Sequence, residues 1–219
     1  MNPRPKIGLL LILALVCTTA VTAAFRLDKP VRDSIVASQG PDWNKSANKK
    51  IYSSIRIWGD WPPIMGFALI GVLVAKWRGN SRWTRILVAA MIASTLAGAL
   101  ANTSRLTTGR TRPRESPKYE QGFYGPWKDG RLLIGNAAFN SFPSGHTATA
   151  FGFASVIVFA SPAWGVAAVA GASAVAWSSI AMGAHHPSDV VVSICLSFGV
   201  GWFVWRVARQ RFMKPSEPR

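Results

Sequence analysis

Charge is missing from most of the second half of this 219-residue chain. No Lys, Arg, Asp or Glu occurs in the 57 residues from Leu132 to Ser188, nor from Val190 to Trp205. A soluble domain rarely runs so far without a charged surface residue. A bilayer makes such a run natural, because a charge at its centre costs about 2.5–3.5 kcal/mol on insertion scales. Acids are scarce throughout, nine against 25 Lys and Arg, for a net charge of +16. Cysteine is limited to Cys17 and Cys195, both inside apolar runs. They read as small core or lipid-facing residues and give no sign of redox compartment. There are only three histidines, and the nearby acids Glu115, Glu120 and Asp129 are scattered without metal-ligand spacing.

What is present is apolar: 49% of the residues are hydrophobic, and the mean hydropathy is +0.21. A membrane helix needs about 20 mostly apolar residues. Six stretches qualify as spans: 7–25, 57–75, 86–104, 142–161, 163–184 and 189–205. Pro162, in the three-residue turn between the fourth and fifth, cannot continue the preceding helix. The excess of Lys and Arg first suggests nucleic acid, but these residues lie between apolar spans and no nucleic-acid motif accompanies them. The amino-terminal residues, the link 76–85 and the carboxyl-terminal tail are basic and share one side of a six-span chain, which the positive-inside rule makes cytoplasmic. The basic segment Arg26–Arg56, on the other side, reads as an amphipathic piece drawn to anionic headgroups. Met1–Lys6 resembles a signal-peptide n-region and Val21-Thr22-Ala23 a cleavage site, but nineteen apolar residues are long for an h-region and favour a retained span.

Three polar clusters fall at the ends of these spans. Arg105, Arg110, Arg112 and Arg114 follow the third span. Guanidinium groups match phosphate oxygens bidentately and stay charged. Ser141-Phe142-Pro143-Ser144-Gly145-His146 opens the fourth, where a helix start offers free N–H groups to an anion. His185-His186-Pro187-Ser188-Asp189 joins the fifth to the sixth. A carboxylate beside a histidine fixes its tautomer and makes the other ring nitrogen a better base or nucleophile. His186 has no assigned role beyond an interfacial residue. Six spans carry all three clusters to the same membrane surface. Taken alone, each cluster is also explained as a headgroup anchor, a helix cap or a polar turn.

At these residues the chain resembles the type 2 phosphatidic acid phosphatase (PAP2) superfamily, which includes vanadium haloperoxidases. The family pattern is Lys, six residues, Arg-Pro; then Pro-Ser-Gly-His; then Ser-Arg, five residues, His, three residues, Asp. Here it reads Arg105, six residues, Arg112-Pro113; Pro143-Ser144-Gly145-His146; and Ser178-Ser179, five residues, His185, three residues, Asp189. The resemblance covers about residues 57–205. It implies an all-α fold, a six-transmembrane-helix bundle of the PAP2/haloperoxidase-like type, forming a single integral membrane domain over residues 1–219. It implies a site at the outer, periplasmic face of a bacterial inner membrane, with both termini cytoplasmic.

The resemblance assigns catalytic roles to His185 as nucleophile, Asp189 as its orienting partner and His146 as proton donor. It assigns substrate binding to Arg105, Arg112, Ser144 and Gly145. It implies no metal and no cofactor. The partners it implies are the membrane and a lipid substrate: a phospholipid, an isoprenoid diphosphate or a lipid A phosphate. No nucleic acid and no obligate protein partner are inferred. The expected activity is metal-independent hydrolysis of a lipid phosphate or diphosphate through a phosphohistidine. The alternatives are a non-catalytic lipid-phosphate-binding protein and a lipid phosphotransferase. Two positions depart from the pattern. Arg105 replaces a lysine, and Ser179 replaces an arginine that the family uses on the phosphate; Arg110 or Arg114 are candidates to fill that space. The segment Gly122–Trp127 reads as a lid, a headgroup-recognition surface or a packed surface loop.

Overall fold

The computed structural model describes residues 7–116 and 118–212. Met1–Lys6, with the n-region and the basic residues Arg4 and Lys6, and Lys214 and Arg219 of the tail lie outside the described residues. Seven α-helices are described: α1 (Ile7–Ser38), α2 (Ala47–Arg56), α3 (Trp61–Trp77), α4 (Ser81–Thr108), α5 (Gly145–Ala160), α6 (Pro162–Ala181) and α7 (Pro187–Phe212). A two-residue hairpin, β1 (Trp127–Lys128) against β2 (Arg131–Leu132), lies in the long connection between α4 and α5.

Local chemistry sets most of the boundaries. Asn80 accepts a hydrogen bond from the Trp83 N–H and caps α4. Gly109 ends α4 in the left-handed region at φ 56°, and the Gly125 carbonyl presses against it so closely that no Cβ fits. Ser144 caps α5, and Pro162 occupies the first turn of α6. The expected second span begins later than the apolar pattern suggested, at Trp61. Pro62 and Pro63 have no N–H to continue α2, so the helix restarts, and the pair Ala47–Gly59 and Trp61–Trp77 is bent by 60° at Asp60. The first span is longer than expected: α1 continues through Pro30 to Ser38.

The small central helix α5 is enclosed by α4, α6 and α7. Its neighbours meet it through small residues. Ala89, Ala90, Ala93, Ser94, Ala97, Gly98 and Ala101 form the buried face of α4, and a Cβ on Gly152 of α5 would lie 2.9 Å from the Ala93 carbonyl oxygen. Lipid gives no hydrophobic drive for helices to associate, so close backbone approach through small side chains supplies the cohesion. The large apolar side chains point outward instead, among them Leu15, Phe67, Ile70, Leu73 and Val166.

Among the described residues, four helices, Leu11–Ser38, Ser81–Thr108, Pro162–Ala181 and Pro187–Arg211, are long and apolar enough to cross a membrane, and the bent pair, if counted as one span, brings the number to five. The 16 residues of α5 reach about 24 Å at 1.5 Å per residue, short of a hydrocarbon core of about 30 Å.

Candidate active site

The three polar clusters meet at one end of the bundle. The last turn of α4 brings Arg105, the following loop brings Arg110 and Arg112, the first turn of α5 brings His146, and the α6–α7 turn brings His185 and Asp189.

His185 is fully buried. Its Nδ1 lies 2.7 Å from the Ser141 carbonyl oxygen. A carbonyl only accepts, so Nδ1 carries the proton and Nε2 holds the lone pair. Nε2 is buried without a hydrogen-bond partner. Asp189 stands 3.6 Å from Nδ1, so it acts on the ring by charge while the hydrogen bond belongs to Ser141. The carboxylate is held in turn by the Ser141 hydroxyl at 2.6 Å, the His186 N–H at 2.7 Å and the Arg110 guanidinium. Burial holds the His185 imidazole down to about 4; Asp189 pulls the other way, and Arg112 and Arg56 reinforce the burial. The ring is therefore neutral at ordinary pH.

Arg110 is committed elsewhere. It donates to Asp28 of α1 at 2.5 Å, to Ser188 at 2.7 Å and to Asp189. Its guanidinium lies 4.5 Å from the Phe123 ring centroid and 5.3 Å from that of Phe25. Asp28 also accepts from the Ser188 N–H and hydroxyl. This network fastens α1 and the Phe123 loop to the start of α7, so Arg110 does not fill the space left by Ser179. Arg114 is exposed, and its Nε lies 3.4 Å from Glu115. The Gly122–Gly125 stretch is packed against Arg110 and Thr108, and Trp127 is left exposed. His186 is buried, not interfacial as expected, and its Nε2 lies 3.1 Å from the Thr111 carbonyl.

His146 has partners that sequence reasoning missed. Its Nε2 lies 2.8 Å from the Asp60 carboxylate, and its Nδ1 is 3.4 Å from the Arg56 guanidinium, which can only donate. Nε2 therefore carries the proton and Nδ1 faces a cation. Both partners come from the bend between α2 and α3. The close approach requires Gly59, since a Cβ there would lie 2.8 Å from the His146 Cβ. The segment Arg26–Arg56, expected to be drawn to headgroups, thus delivers its last residue to the site.

Arg105 pairs with Asn102 and sits against the start of α5; a Cβ on Gly145 would lie 3.2 Å from its guanidinium. Arg112 is buried and donates to the Asn140 carbonyl at 3.1 Å. Burial, with repulsion from Arg114, Arg56 and Arg105, lowers the Arg112 guanidinium to about 10. The Nε atoms of Arg56, Arg105 and Arg112 are all buried without a hydrogen-bond partner. Ser144 gives its N–H to the Asp189 carbonyl at 3.3 Å, and its hydroxyl caps α5. The first-turn N–H groups of Gly145 and His146 have no acceptor within the helix. Among the described residues, no three His, Cys, Asp or Glu side chains gather as a metal-holding group.

The PAP2 superfamily model matches residues 83–213. The chain belongs to the PAP2 superfamily. Among curated relatives it is 34% identical over 131 residues to the lipid A 1-phosphatase of Rhizobium etli, covering 60% of this chain and 49% of that protein. It is 36% identical over 107 residues to the lipid A 1-phosphatase of Rhizobium johnstonii, covering 49% of this chain and 40% of that one. The corresponding Porphyromonas gingivalis protein is 30% identical over 145 residues, 64% of this chain and 28% of that protein. The chain thus spans half or less of the length of the curated relatives it matches. The crystal structure of a transmembrane PAP2-type phosphatidylglycerolphosphate phosphatase from Bacillus subtilis superposes with a TM-score of 0.55 at 18% identity, covering 96% of this chain and all of that one. With its long apolar helices, this PAP2 chain is an integral membrane protein.

Proposed function

We propose that this PAP2 protein is a metal-independent phosphatase that hydrolyses a lipid phosphate or diphosphate through a phosphohistidine on His185. The observation that carries the reading is the unpaired, buried Nε2 of a neutral His185, at the end of the bundle where the buried Nε atoms of Arg56, Arg105 and Arg112 also lack acceptors. Nε2 attacks phosphorus, and the bond from phosphorus to the lipid oxygen breaks. Charge that develops on the ring is met by Asp189, 3.6 Å from Nδ1. When the phosphoryl oxygens draw the Arg56 guanidinium off His146 Nδ1, that nitrogen takes up a proton and passes it to the leaving oxygen, while Asp60 holds the Nε2 proton. Water then attacks the phosphohistidine, the N–P bond breaks, and His146 takes the water proton. Arg105, Arg112 and the N–H groups of Gly145 and His146 receive the charge on the phosphoryl oxygens. Ser144 acts through the turn it caps. A cluster of cations repels a divalent metal, which supports metal independence.

The lipid character of the substrate draws support from a cavity of about 670 Å³ beside the site. Ile55, Trp58, Ile64 and Val175 line it near Arg56, and Trp83 and Trp164 line it farther along. Its apolar walls suit an acyl chain. The names of the curated relatives make lipid A 1-phosphate the first substrate to test. The architecture proposed with this function is a single domain with six crossings, α5 serving as a short one enclosed by its neighbours. Both termini are cytoplasmic and the site faces the periplasm of a bacterial inner membrane. A phosphotransferase would use the same residues, and an assay with acceptor lipid separates the two.

The test is phosphate release by the detergent-purified chain from lipid A, phosphatidylglycerol phosphate, phosphatidic acid and an isoprenoid diphosphate, with EDTA present. Release that tolerates EDTA and disappears in His185→Ala is expected. Full activity in that variant overturns the phosphohistidine, and loss of release in EDTA overturns metal independence.

A further inference from the structure

Arg56 ends α2 at the bend, and three features set it apart from a surface cation. Its guanidinium reaches within 3.4 Å of His146 Nδ1. Its Nε is buried without an acceptor, like those of Arg105 and Arg112. Both Arg56 and Arg112 act electrostatically on His185. Desolvated donors without acceptors are costly, and three such Nε atoms at the end of the bundle that also holds a bare imidazole nitrogen are explained by an anion that completes them.

The surroundings explain why this arginine comes from α2. Ser179, in the last turn of α6, turns its hydroxyl to the Val175 carbonyl of its own helix at 3.0 Å and presents no charge. The turn Ile57–Gly59 leans on α6 at Val175, one helical turn before Ser179, where a Cβ on Gly59 would lie 2.5 Å from the Val175 Cγ1. The Gln39 amide, at the end of α1, ties the same region to the Ala181 carbonyl at 2.9 Å.

We propose that Arg56 is a phosphate-binding residue that supplies, from the α2–α3 bend, the guanidinium that α6 lacks at Ser179. This deepens the proposed function and rests on its reading of the site as one that takes a phosphate group. Arg56 grips the phosphoryl oxygens on the His146 side, and Asp60, four residues on, keeps the cation and the imidazole in register.

The test titrates inorganic phosphate into the full detergent-purified chain by calorimetry, beside phosphate release from lipid A. Arg56→Ala and Arg56→Gln are expected to weaken phosphate binding at least tenfold, with folding checked by thermal unfolding. Arg56→Lys recovers only part, because a point charge does not reproduce the planar fork. The double variant Arg56→Ala/Ser179→Arg recovers most of the affinity, which a merely structural role for Arg56 would not produce. Binding by Arg56→Ala and Arg56→Gln within twofold of the unmodified chain overturns the inference. Arg56-dependent phosphate binding without release from any lipid leaves the inference standing and overturns the phosphatase reading. No phosphate binding by the unmodified chain overturns both.

Discussion

His185 gives its Nδ1 proton to the carbonyl oxygen of Ser141, 2.7 Å away. A backbone acceptor therefore fixes the tautomer, and Asp189, at 3.6 Å from the same nitrogen, holds Ser141 and the α7 turn in place. Asp189→Asn leaves the carbonyl where it is, so the reactive tautomer survives. The expected fall in kcat is about a hundredfold, short of the ~10⁴-fold seen where a triad loses its tautomer. Turnover of Asp189→Asn measured beside His185→Ala checks this; equal loss in the two variants contradicts it.

Arg110 is predicted to matter for stability more than for phosphate affinity. It bridges Asp28 and Asp189 in a buried network, and removal of one partner of a buried ion pair costs about 3–5 kcal/mol. Arg110→Met and Asp28→Asn are each expected to lower the thermal unfolding midpoint in detergent. The fraction that remains folded keeps its affinity for inorganic phosphate within a few-fold. A tenfold weakening of phosphate binding with unchanged unfolding would return Arg110 to the substrate.

The three clusters were legible because a span boundary is where a polar residue in an apolar sequence stands out, and because the parity of the expected six spans places those boundaries on one surface. Arg105, Arg112, His146, His185 and Asp189 stand out in this way, and the structure brings them to one end of the bundle. Roles within the clusters were harder to read. A guanidinium proposed for phosphate and one that binds two aspartates look the same in sequence, so Arg110 and Arg112 read alike there. Asp60, Arg56 and Asp28 were missed because their partners lie far along the chain. A signal existed for Asp60: one of only nine acids, it sits at the start of an apolar stretch, where a charge calls for a partner. The second expected span, α3, begins later than its hydropathy suggested because Pro62 and Pro63 act through missing N–H groups, which an apolar count does not register.

The pH dependence follows from the His185 ring. Its nucleophilic form is neutral, and burial lowers it from 6.5 to about 4. Protonation removes the lone pair, so a lowered value keeps the nucleophile available at lower pH. Stripped of other titrations, the acid limb of kcat/KM is expected near pH 4 rather than 6.5, because kcat/KM reports the free enzyme. A soluble short-chain substrate allows the profile to be recorded. An acid limb at 6.5 that persists in His146→Gln contradicts the assignment.

Gly59 is the point at which the α2–α3 bend can be tested without touching a charged residue. A Cβ there would lie 2.8 Å from the His146 Cβ, 3.1 Å from its carbonyl oxygen and 2.5 Å from the Val175 side chain. Two of these neighbours are backbone or backbone-proximal and cannot swing aside, so Gly59→Ala pushes the turn away from α5 and α6. Arg56 and Asp60 move with it, and His146 loses both ring contacts. The expected result is at least a tenfold loss in kcat/KM, because misplacement of about 1 Å is enough to cost ~10²-fold. Gly66 is the control: a Cβ on it meets nothing within 4 Å, and alanine in a helix interior is favoured over glycine by roughly 0.5–1 kcal/mol. Gly66→Ala should therefore match the unmodified chain in rate and equal or exceed it in thermal stability. Equal rates for the two alanine variants would mean that the bend does not position the site, and His146 would then work without Asp60 and Arg56.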